Sequence, residues 1–326
     1  MRVGQNPAKF VKEVAKPARV TVAVLNYIPF LSGFYAQALD VLKVSLNSLC
    51  QNTPEEHDLL VFDNGSCAEV QDYLLAERRA GHIQYLLLSE KNLGKGGAWN
   101  MILAGAPGEI IAYADSDVLY LPGWLTRSLE ILETYPRVGM VTSRPFRTKD
   151  EFLTATREWI ARTPEAELVE GQLIPWETFY EFNRSLGAEE DEIRASYAET
   201  QDARVTYRGV TAQLGASHWQ FVAYKSVLQE FLPFQMDRPM GQVRQLDQRM
   251  NEAGYLRLMV PDPLVLNMSN TLLEVPEAYR AGLQTGAAPA GPSGVKARLL
   301  QLPPLKKGFL WLYNQIFRWY YFDQSS

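Results

Sequence analysis

The sequence contains few cysteines, no long apolar run and no excess of positive charge. Only Cys50 and Cys67 occur, and their spacing matches no metal-ligand motif, so we expect free thiols in a reducing compartment. No stretch approaches the roughly 18 apolar residues of a membrane-spanning helix, and the first residues lack the apolar core of a signal peptide. A net charge of −5 argues against a broad nucleic-acid-binding surface. We therefore predict a cytoplasmic protein that binds no nucleic acid.

Apolar runs alternate with helical patterns through the first half of the chain. The 326 residues suit one large α/β domain with additions, or two small domains. Residues 110–114 form an apolar run without polar alternation, which is typical of a buried strand in a mostly parallel sheet. Five such runs predict an α/β fold with a doubly wound sheet; they span residues 19–26, 58–62, 83–88, 110–114 and 138–142.

The first four predicted strands end in polar or flexible residues. Asn26 and Tyr27 follow the first strand, and Asp63 follows the second, where a carboxylate could accept the N–H of a pyrimidine ring. Glycines in residues 92–100, after the third strand, would let the backbone approach a ligand, and Lys95 could meet a diphosphate. Ligands collect beyond the carboxyl ends of strands in open α/β sheets, so the set predicts a nucleotide site. The structural alternative is that residues 63–66 form a turn and residues 94–97 lead into a helix.

Asp115 and Asp117 follow the fourth strand, with one serine between them. Two neighbouring acids repel each other unless a positive charge lies between them. A hard divalent cation that carries phosphate oxygens would supply that charge. The alternative is that the pair caps the helix expected after Pro122, because aspartate is a common cap residue.

The second half of the chain divides into four parts by composition. Residues 148–204 are acid-rich with a helical pattern, which predicts a mainly helical insertion or lid; a solvated surface is the alternative for the charge run at 189–192. Residues 205–283 show strand signals at 205–214, 219–224, 255–260 and 264–266, and helices at about 242–253 and 274–283. Residues 284–294 predict a linker. Residues 295–326 are basic and aromatic, which predicts a helical extension that lies on an anionic membrane, on its own domain or on a second subunit.

The strand-end motifs, taken as a set, resemble family 2 glycosyltransferases of the GT-A fold. The motifs lie at residues 24–27 (Val-Leu-Asn-Tyr), 63–66 (Asp-Asn-Gly-Ser), 92–100 (Asn-x-Gly-x-Gly-x-Ala-x-Asn) and 115–117 (Asp-Ser-Asp), in that family's order and spacing. The match covers residues 19–145, and weaker matches follow at 219–225 and 247–255. The resemblance implies a GT-A-type, Rossmann-like, mostly parallel sheet flanked by helices. It also implies one glycosyltransferase domain over residues 19–283, with a nucleotide-sugar-binding half at 19–145 and an acceptor-side half at 205–283.

The resemblance also implies roles for individual residues. Asp63 would bind the base, Asp115 would meet the ribose or the metal, and Asp117 would hold the metal, Mn²⁺ or Mg²⁺. The residues implied for nucleotide-sugar binding are Asn26, Tyr27, Asp63, Asn92, Gly94, Lys95, Gly96, Asp115 and Ser116.

The catalytic base is where the sequence departs from the family pattern. The family has an acidic motif at the start of the late helix, where this chain has Gly-Gln-Val-Arg-Gln-Leu-Asp at 241–247. Asp247 is the nearest acid and Asp237 the second candidate; alternatively, Asp247 pairs with Arg244 or Arg249 on an exposed helix face. Asn267 stands where the family often has a histidine. His218 is interpreted as structural, although it lies in the acceptor region.

The resemblance implies a metal-dependent, inverting glycosyltransferase. It would move a sugar from a nucleoside diphosphate sugar to a hydroxyl of a glycan or lipid-linked acceptor, with possible peripheral membrane contact or self-association through residues 295–326. One alternative is a non-catalytic module that binds nucleotide sugars or glycans. A sugar-phosphate nucleotidyltransferase is less favoured, because residues 26–30 lack its glycine-rich basic loop.

Overall fold

The computed structural model describes residues 4–236, 243–273 and 275–280. Asp237, the predicted linker at 284–294 and the predicted extension at 295–326 lie outside the described residues. The strands are β1 (Val20–Asn26), β2 (His57–Asp63), β3 (Tyr85–Leu88), β4 (Ile110–Asp115), β5 (Val118–Tyr120), β6 (Val138–Thr142), β7 (Glu167–Gly171), β8 (Asp202–Tyr207), β9 (Val210–Leu214), β10 (Gln220–Tyr224), β11 (Leu256–Met259) and β12 (Val265–Asn267).

The α-helices of the described residues are α1 (Ala38–Asn52), α2 (Ala68–Arg79), α3 (Gly94–Gly105), α4 (Trp124–Thr134), α5 (Thr154–Ala161), α6 (Trp176–Ser185), α7 (Glu190–Glu199), α8 (Lys225–Gln229), α9 (Val243–Glu252) and α10 (Glu277–Arg280). Short 3-10 helices lie at Pro7–Phe10, Gly33–Tyr35 and Asp150–Phe152.

The main sheet of the described region has ten strands in the order β3-β2-β1-β4-β10-β6-β11-β9-β8-β7. Strands β3, β2, β1 and β4 are parallel neighbours, and β11 runs parallel to β6. Strand β10 is antiparallel to both β4 and β6, and β7 to β9 form an antiparallel meander that meets β11. The predicted α/β fold is confirmed, and its parallel character is concentrated in the half formed by residues 19–115.

Burial on both faces explains why the strand β1 shows no polar alternation. Val22 and Val24 face one core, which contains side chains of α1, α2 and α4, whereas Ala23 and Leu25 face a second core, which contains side chains of α3, α8 and α9. A strand that is covered on both faces gains from an apolar residue at every position. Each core lies between one face of the sheet and the helices that cover it, as in a doubly wound fold.

The second half of the chain differs from the sequence prediction in two places. Residues 205–214 were expected as one strand signal, but they form a hairpin of β8 and β9 around Arg208 and Gly209, which have φ of 49° and 80°. Two consecutive residues with positive φ make the tight turn that suits a two-residue hairpin. The insertion also contains β7, an exposed edge strand with two glutamates that pattern analysis assigned to helix.

The acidic run of the insertion forms the N-terminal cap and the first turn of helix α7. Glu189 is the N-terminal cap residue of α7, and three acids occupy the first turn of that helix. These acids are exposed, and negative charge at a helix N-terminus stabilises the helix through the aligned peptide dipoles. The interpretation of this run as a solvated surface therefore fits the structure.

Leu42 tests the core beneath the parallel strands. Its side chain is fully buried in α1, so Leu42→Ala should lower the free energy of unfolding by about 2 to 5 kcal/mol. Leu186→Ala, at a position that is 63% exposed, is the matched control and should change it by less than about 0.5 kcal/mol. Urea unfolding measures both variants. Equal losses would contradict the described placement of α1.

Candidate functional site

Three of the predicted strand-end residues meet at one edge of the main sheet. In the parallel register, Asn26 lies opposite Asp63, and Leu25 lies opposite Asp115. Strand β10 begins at the same edge, where the N–H of Asp115 donates to the carbonyl oxygen of Trp219 at 2.9 Å. The carboxyl ends of β2, β1 and β4 and the start of β10 therefore form one continuous site edge.

Asp63 and Asn26 form a buried network that closes the loop after β2. Both side chains are fully buried. The amide of Asn26 donates to Oδ1 of Asp63 at 2.8 Å and to Oγ of Ser66 at 3.0 Å. Oδ2 of Asp63 accepts from the N–H of Ser66 at 3.1 Å and from Gln71 at 3.3 Å. The described contacts of Asp63 thus hold the loop, and its contact with a base stays a prediction. Oδ1 of Asn26 is buried without a partner in the described region.

Tyr27 and Asn92 lie beside this network with more exposed side chains. Tyr27 is 36% exposed, directly after β1. Oδ1 of Asn92 accepts from the N–H of Gly94 at 2.8 Å and from the amide of Asn64 at 3.0 Å. Oδ1 of Asn64 in turn accepts from the N–H of Leu93 at 2.9 Å. The two asparagines therefore tie the loop after β2 to the start of α3.

The predicted glycine-rich loop is largely the first turn of α3. A Cβ atom at Gly96 would lie 3.0 Å from the carbonyl oxygen of Gln235, and one at Gly97 would lie 2.8 Å from the side chains of Leu93 and Met236. The close approach that these glycines permit is therefore to the protein's own residues 234–236. Sequence analysis assigned it to a ligand, because the spacing of glycines does not say which neighbour approaches.

Lys95 is paired with Asp115 across the site edge. Its side chain is buried, and Nζ donates to Oδ2 of Asp115 at 2.7 Å while lying 5.6 Å from the rings of Trp99 and Tyr113. The hydroxyl of Tyr113 donates to Oδ1 of Asp115 at 2.6 Å. Burial raises the pKa of Tyr113 well above its ordinary value, and the charge of Asp115 adds to this, so Tyr113 stays a neutral donor. Asp115 is thus held by two donors from the protein.

Asp117 is a half-buried carboxylate that receives much less compensation. Burial first, and the charge of Asp115 second, raise the pKa of Asp117 to about 7, although Lys95 acts in the opposite direction. In the described part of the chain no other residue donates a hydrogen bond to its carboxylate. Its carbonyl oxygen accepts from the N–H of Met268 at 2.8 Å, and the next residue begins β5, which pairs with β12. Asp117 is therefore rigidly placed and electrostatically unsatisfied.

The capping alternative for Asp115 and Asp117 is wrong for the helix in question. Helix α4 begins at Trp124, and its cap residue Gly123 makes no side-chain cap bond. Ser116 and Asp117 instead form the turn between β4 and β5. Within residues 4–236, 243–273 and 275–280, no group of three or more His, Cys, Asp or Glu side chains could by itself hold a metal ion. A cation would therefore need further ligands besides the two aspartates.

Asp247 lies in a buried cluster, which corrects the expected exposed pairing. Its side chain is 10% exposed, Oδ1 accepts from Nη2 of Arg257 at 2.7 Å, and Oδ2 lies 2.7 Å from Nδ1 of His218. Of the two arginines expected to pair with it, Arg249 donates to the carbonyl oxygen of Phe231, and the side chain of Arg244 lies outside the described residues. Sequence analysis missed Arg257 as a site residue. The available signal was a single charge inside the apolar strand β11, since a buried cation needs a partner.

A cavity of about 510 Å³ lies beside the small sheet formed by β5 and β12. Its lining includes Leu119 and Asn267 from the two strands, and Glu181, Arg184 and Asn270 from α6 and the C-terminal turn. Asn267, which stands where the family often has a histidine, pairs with Val118, the residue after Asp117. The cavity thus adjoins the segment that carries the second aspartate.

The fold is an α/β fold in which polar and acidic residues gather at the carboxyl ends of β1, β2 and β4. A family model described as glycosyl transferase family 2 matches residues 34–189. The chain is also 28% identical over 122 residues to an uncharacterized glycosyltransferase of a Nostoc species, a match that covers 37% of this chain and 34% of that protein. The predicted resemblance to family 2 glycosyltransferases is confirmed, because the family model matches the region that carries the strand-end motifs after residue 34.

Two solved structures are similar to the chain at low sequence identity. A mannosyltransferase from Pyrobaculum calidifontis in complex with GDP-Man and Mn²⁺ has 17% identity and a TM-score of 0.47, with 78% of this chain and 57% of that chain covered. TarS of S. aureus in complex with UDP-GlcNAc has 14% identity and a TM-score of 0.42, with coverage of 75% and 56%. This chain thus spans a little over half of each of these proteins. No helix in the described region has the length and apolar character needed to cross a bilayer.

Asp117→Asn tests the electrostatics of the acidic pair without added metal. Because the pKa of Asp117 is raised in the folded state, ionisation of this group destabilises the native protein increasingly from about pH 4 to above pH 7. The variant should be more stable than wild type by about 1 to 3 kcal/mol at pH 8 and nearly equal at pH 4.5. Denaturant unfolding at both pH values, in the presence of a chelator, measures the difference. The exposed Asp150→Asn is the control, and an equal difference at both pH values would contradict the prediction.

Proposed function

We propose that the protein is a metal-dependent, inverting glycosyltransferase. It moves a sugar from a nucleoside diphosphate sugar to a hydroxyl of a glycan or lipid-linked acceptor. The observation that carries the proposal is the weakly compensated carboxylate of Asp117 beside Asp115, at the strand-end edge of a sheet in the region that the family model matches. A divalent cation would compensate the carboxylate charge there and could bind the donor diphosphate through its remaining coordination positions.

Asp115 and Asp117 fit a hard cation such as Mn²⁺ or Mg²⁺. Both supply carboxylate oxygens, and the absence of a third protein ligand among the described residues suits an ion that also takes donor phosphate oxygens. When bound, the cation would stabilise the negative charge of the departing diphosphate. Lys95 orients Asp115 through its 2.7 Å bond and adds positive charge at the same edge.

The nucleotide sugar is proposed to lie along the edge formed by β2, β1 and the start of α3. Asn26 and Asp63 shape the base end through their shared hydrogen bond, and Tyr27 offers an exposed ring beside them. The remaining residues proposed to contact the donor are Asn92, Gly94, Lys95, Gly96 and Ser116. The cavity beside β12, lined by both charged and apolar side chains, is proposed to receive part of the acceptor.

The nucleotidyltransferase alternative has less support than transfer. Residues 26–30 after β1 carry neither a glycine-rich loop nor a basic residue for a triphosphate. The non-catalytic module is favoured by one observation, which is that both oxygens of Asp247 are already bonded within the protein. That alternative predicts donor binding without any release of nucleoside diphosphate.

Asp117→Ala should abolish metal-dependent donor binding. Wild type, screened by thermal shift against UDP-glucose, UDP-GlcNAc and GDP-mannose with Mn²⁺, should be stabilised by about 2.7 kcal/mol at a donor concentration one hundred times the Kd. The variant should lose this stabilisation, because the remaining carboxylate cannot retain the cation and its phosphate ligands. The control, Asp150→Ala, carries an exposed acid and should behave as wild type. An unchanged Mn²⁺-dependent shift in Asp117→Ala would contradict the proposed metal site.

Residues 295–326 are proposed to contact an anionic membrane surface from the cytoplasmic side. The support is the sequence alone, which combines lysines and arginines with aromatic residues. Deletion of residues 295–326 should reduce sedimentation with vesicles that contain phosphatidylserine and leave the donor-dependent thermal shift intact. Equal sedimentation of both forms would contradict membrane contact and favour self-association, which size-exclusion chromatography would detect.

A further inference from the structure

His218 lies at the same sheet edge as the acidic pair. It belongs to the short loop between β9 and β10 and immediately precedes Trp219, whose carbonyl oxygen accepts the N–H of Asp115 at 2.9 Å. Strand β10 then continues with Gln220 opposite Ala114. The backbone of His218 is therefore one residue from a direct bond to the proposed metal ligand, and its side chain is 23% exposed.

Asp247 is poorly placed to take a proton from an acceptor hydroxyl by itself. One of its oxygens accepts from Arg257, which is 1% exposed and is also bonded to the carbonyl oxygens of Phe152 and Ala216. The other oxygen is occupied by His218. The Asp247 carboxylate is the counter-charge of this buried guanidinium, and a buried cation without one is strongly unfavourable. The carboxylate is thus held in place through both of its oxygens.

We propose that His218 is the catalytic base of the transfer reaction and that Asp247 is its positioning residue. The inference rests on the proposed glycosyl transfer. An ionised carboxylate 2.7 Å from Nδ1 favours the tautomer with the proton on Nδ1. Nε2 then carries the lone pair and is available to accept a proton. Arg257 holds the carboxylate, the carboxylate holds the imidazole, and the imidazole meets the acceptor.

The step balances in atoms and charge. The acceptor O–H proton passes to Nε2 of His218 while the acceptor oxygen forms a bond to the anomeric carbon. The bond between that carbon and the diphosphate oxygen breaks on the opposite face, and its electron pair leaves with the diphosphate, which inverts the configuration. Asp247 stabilises the imidazolium that results, and the proton then passes to solvent.

Two charged groups of the described residues lie around the His218 side chain. Asp247 approaches from α9, and Arg257 of β11 acts through the same carboxylate. A proton already bound to Nε2 would remove its function as a base.

His218→Gln in the full-length chain tests the proposal with water as the acceptor. The probes are UDP-glucose, UDP-GlcNAc and GDP-mannose with Mn²⁺, and the readout is release of nucleoside diphosphate. The variant should keep the Mn²⁺-dependent donor shift and the donor KM, while kcat falls about 10²- to 10⁴-fold. His82→Gln is the matched control, because His82 also has Nδ1 2.7 Å from a carboxylate, that of Glu77, but lies on the surface. The His82→Gln variant should leave the donor shift, the donor KM and kcat unchanged.

Asp247→Asn separates positioning from a merely structural role. It should lower kcat in the wild-type background and have little further effect in the His218→Gln background, because both changes disable the same proton transfer. His218→Gln with a wild-type rate would overturn the proposal, as would fully additive effects of the two changes. A wild-type protein that binds no donor in the panel would contradict the proposed function itself. Donor binding without hydrolysis would favour the non-catalytic module.

Discussion

The parallel pairing of β1 with both β2 and β4 is the constraint on which the site depends. Residues that are distant in sequence reach one edge because the three strands run in the same direction and end at nearly the same level. Asn26 and Asp63 meet in this way, and Asp115 lies one residue pair away. The strands can remain in this register only because apolar side chains cover both faces of the sheet. The geometry of the site is therefore a consequence of core packing.

The two aspartates at this edge differ in how far the protein compensates their negative charge. Asp115 has two donors, Lys95 and Tyr113, whereas Asp117 has burial and a negative neighbour. A protein that needed only stability would gain from a neutral residue at position 117, because an unpaired buried charge is costly. The cost is consistent with a site that is completed by a cation and a diphosphate, and this is the basis of the proposed donor chemistry.

A second polar cluster lies next to the start of β10. Asp247 bridges α9, β11 and the loop before β10 through Arg257 and His218. Asp247 is the acid nearest to the position of the family's acidic motif, and both of its carboxylate oxygens are bonded to these two side chains. The proposed transfer of the base role to His218 follows from that occupancy, because an imidazole held by a fixed carboxylate retains one free nitrogen.

Much of the parallel half of the fold could be predicted from the sequence, because strands buried on both faces leave continuous apolar runs and because polar residues at their ends are few. Asp115 and Asp117 were identifiable for the same reason. The edge strand β7 escaped pattern analysis, since it is exposed and contains glutamate. The partner of each charged side chain could be identified only in the tertiary structure. Lys95 contacts Asp115, and Asp247 contacts Arg257, although the partners lie 20 and 10 residues apart along the chain. Residue spacing in the sequence does not predict such pairs. The sequence by itself determined the strand-end motifs and the parallel character of the strands that carry them, whereas only tertiary packing decided which of the charged side chains are paired within the described residues.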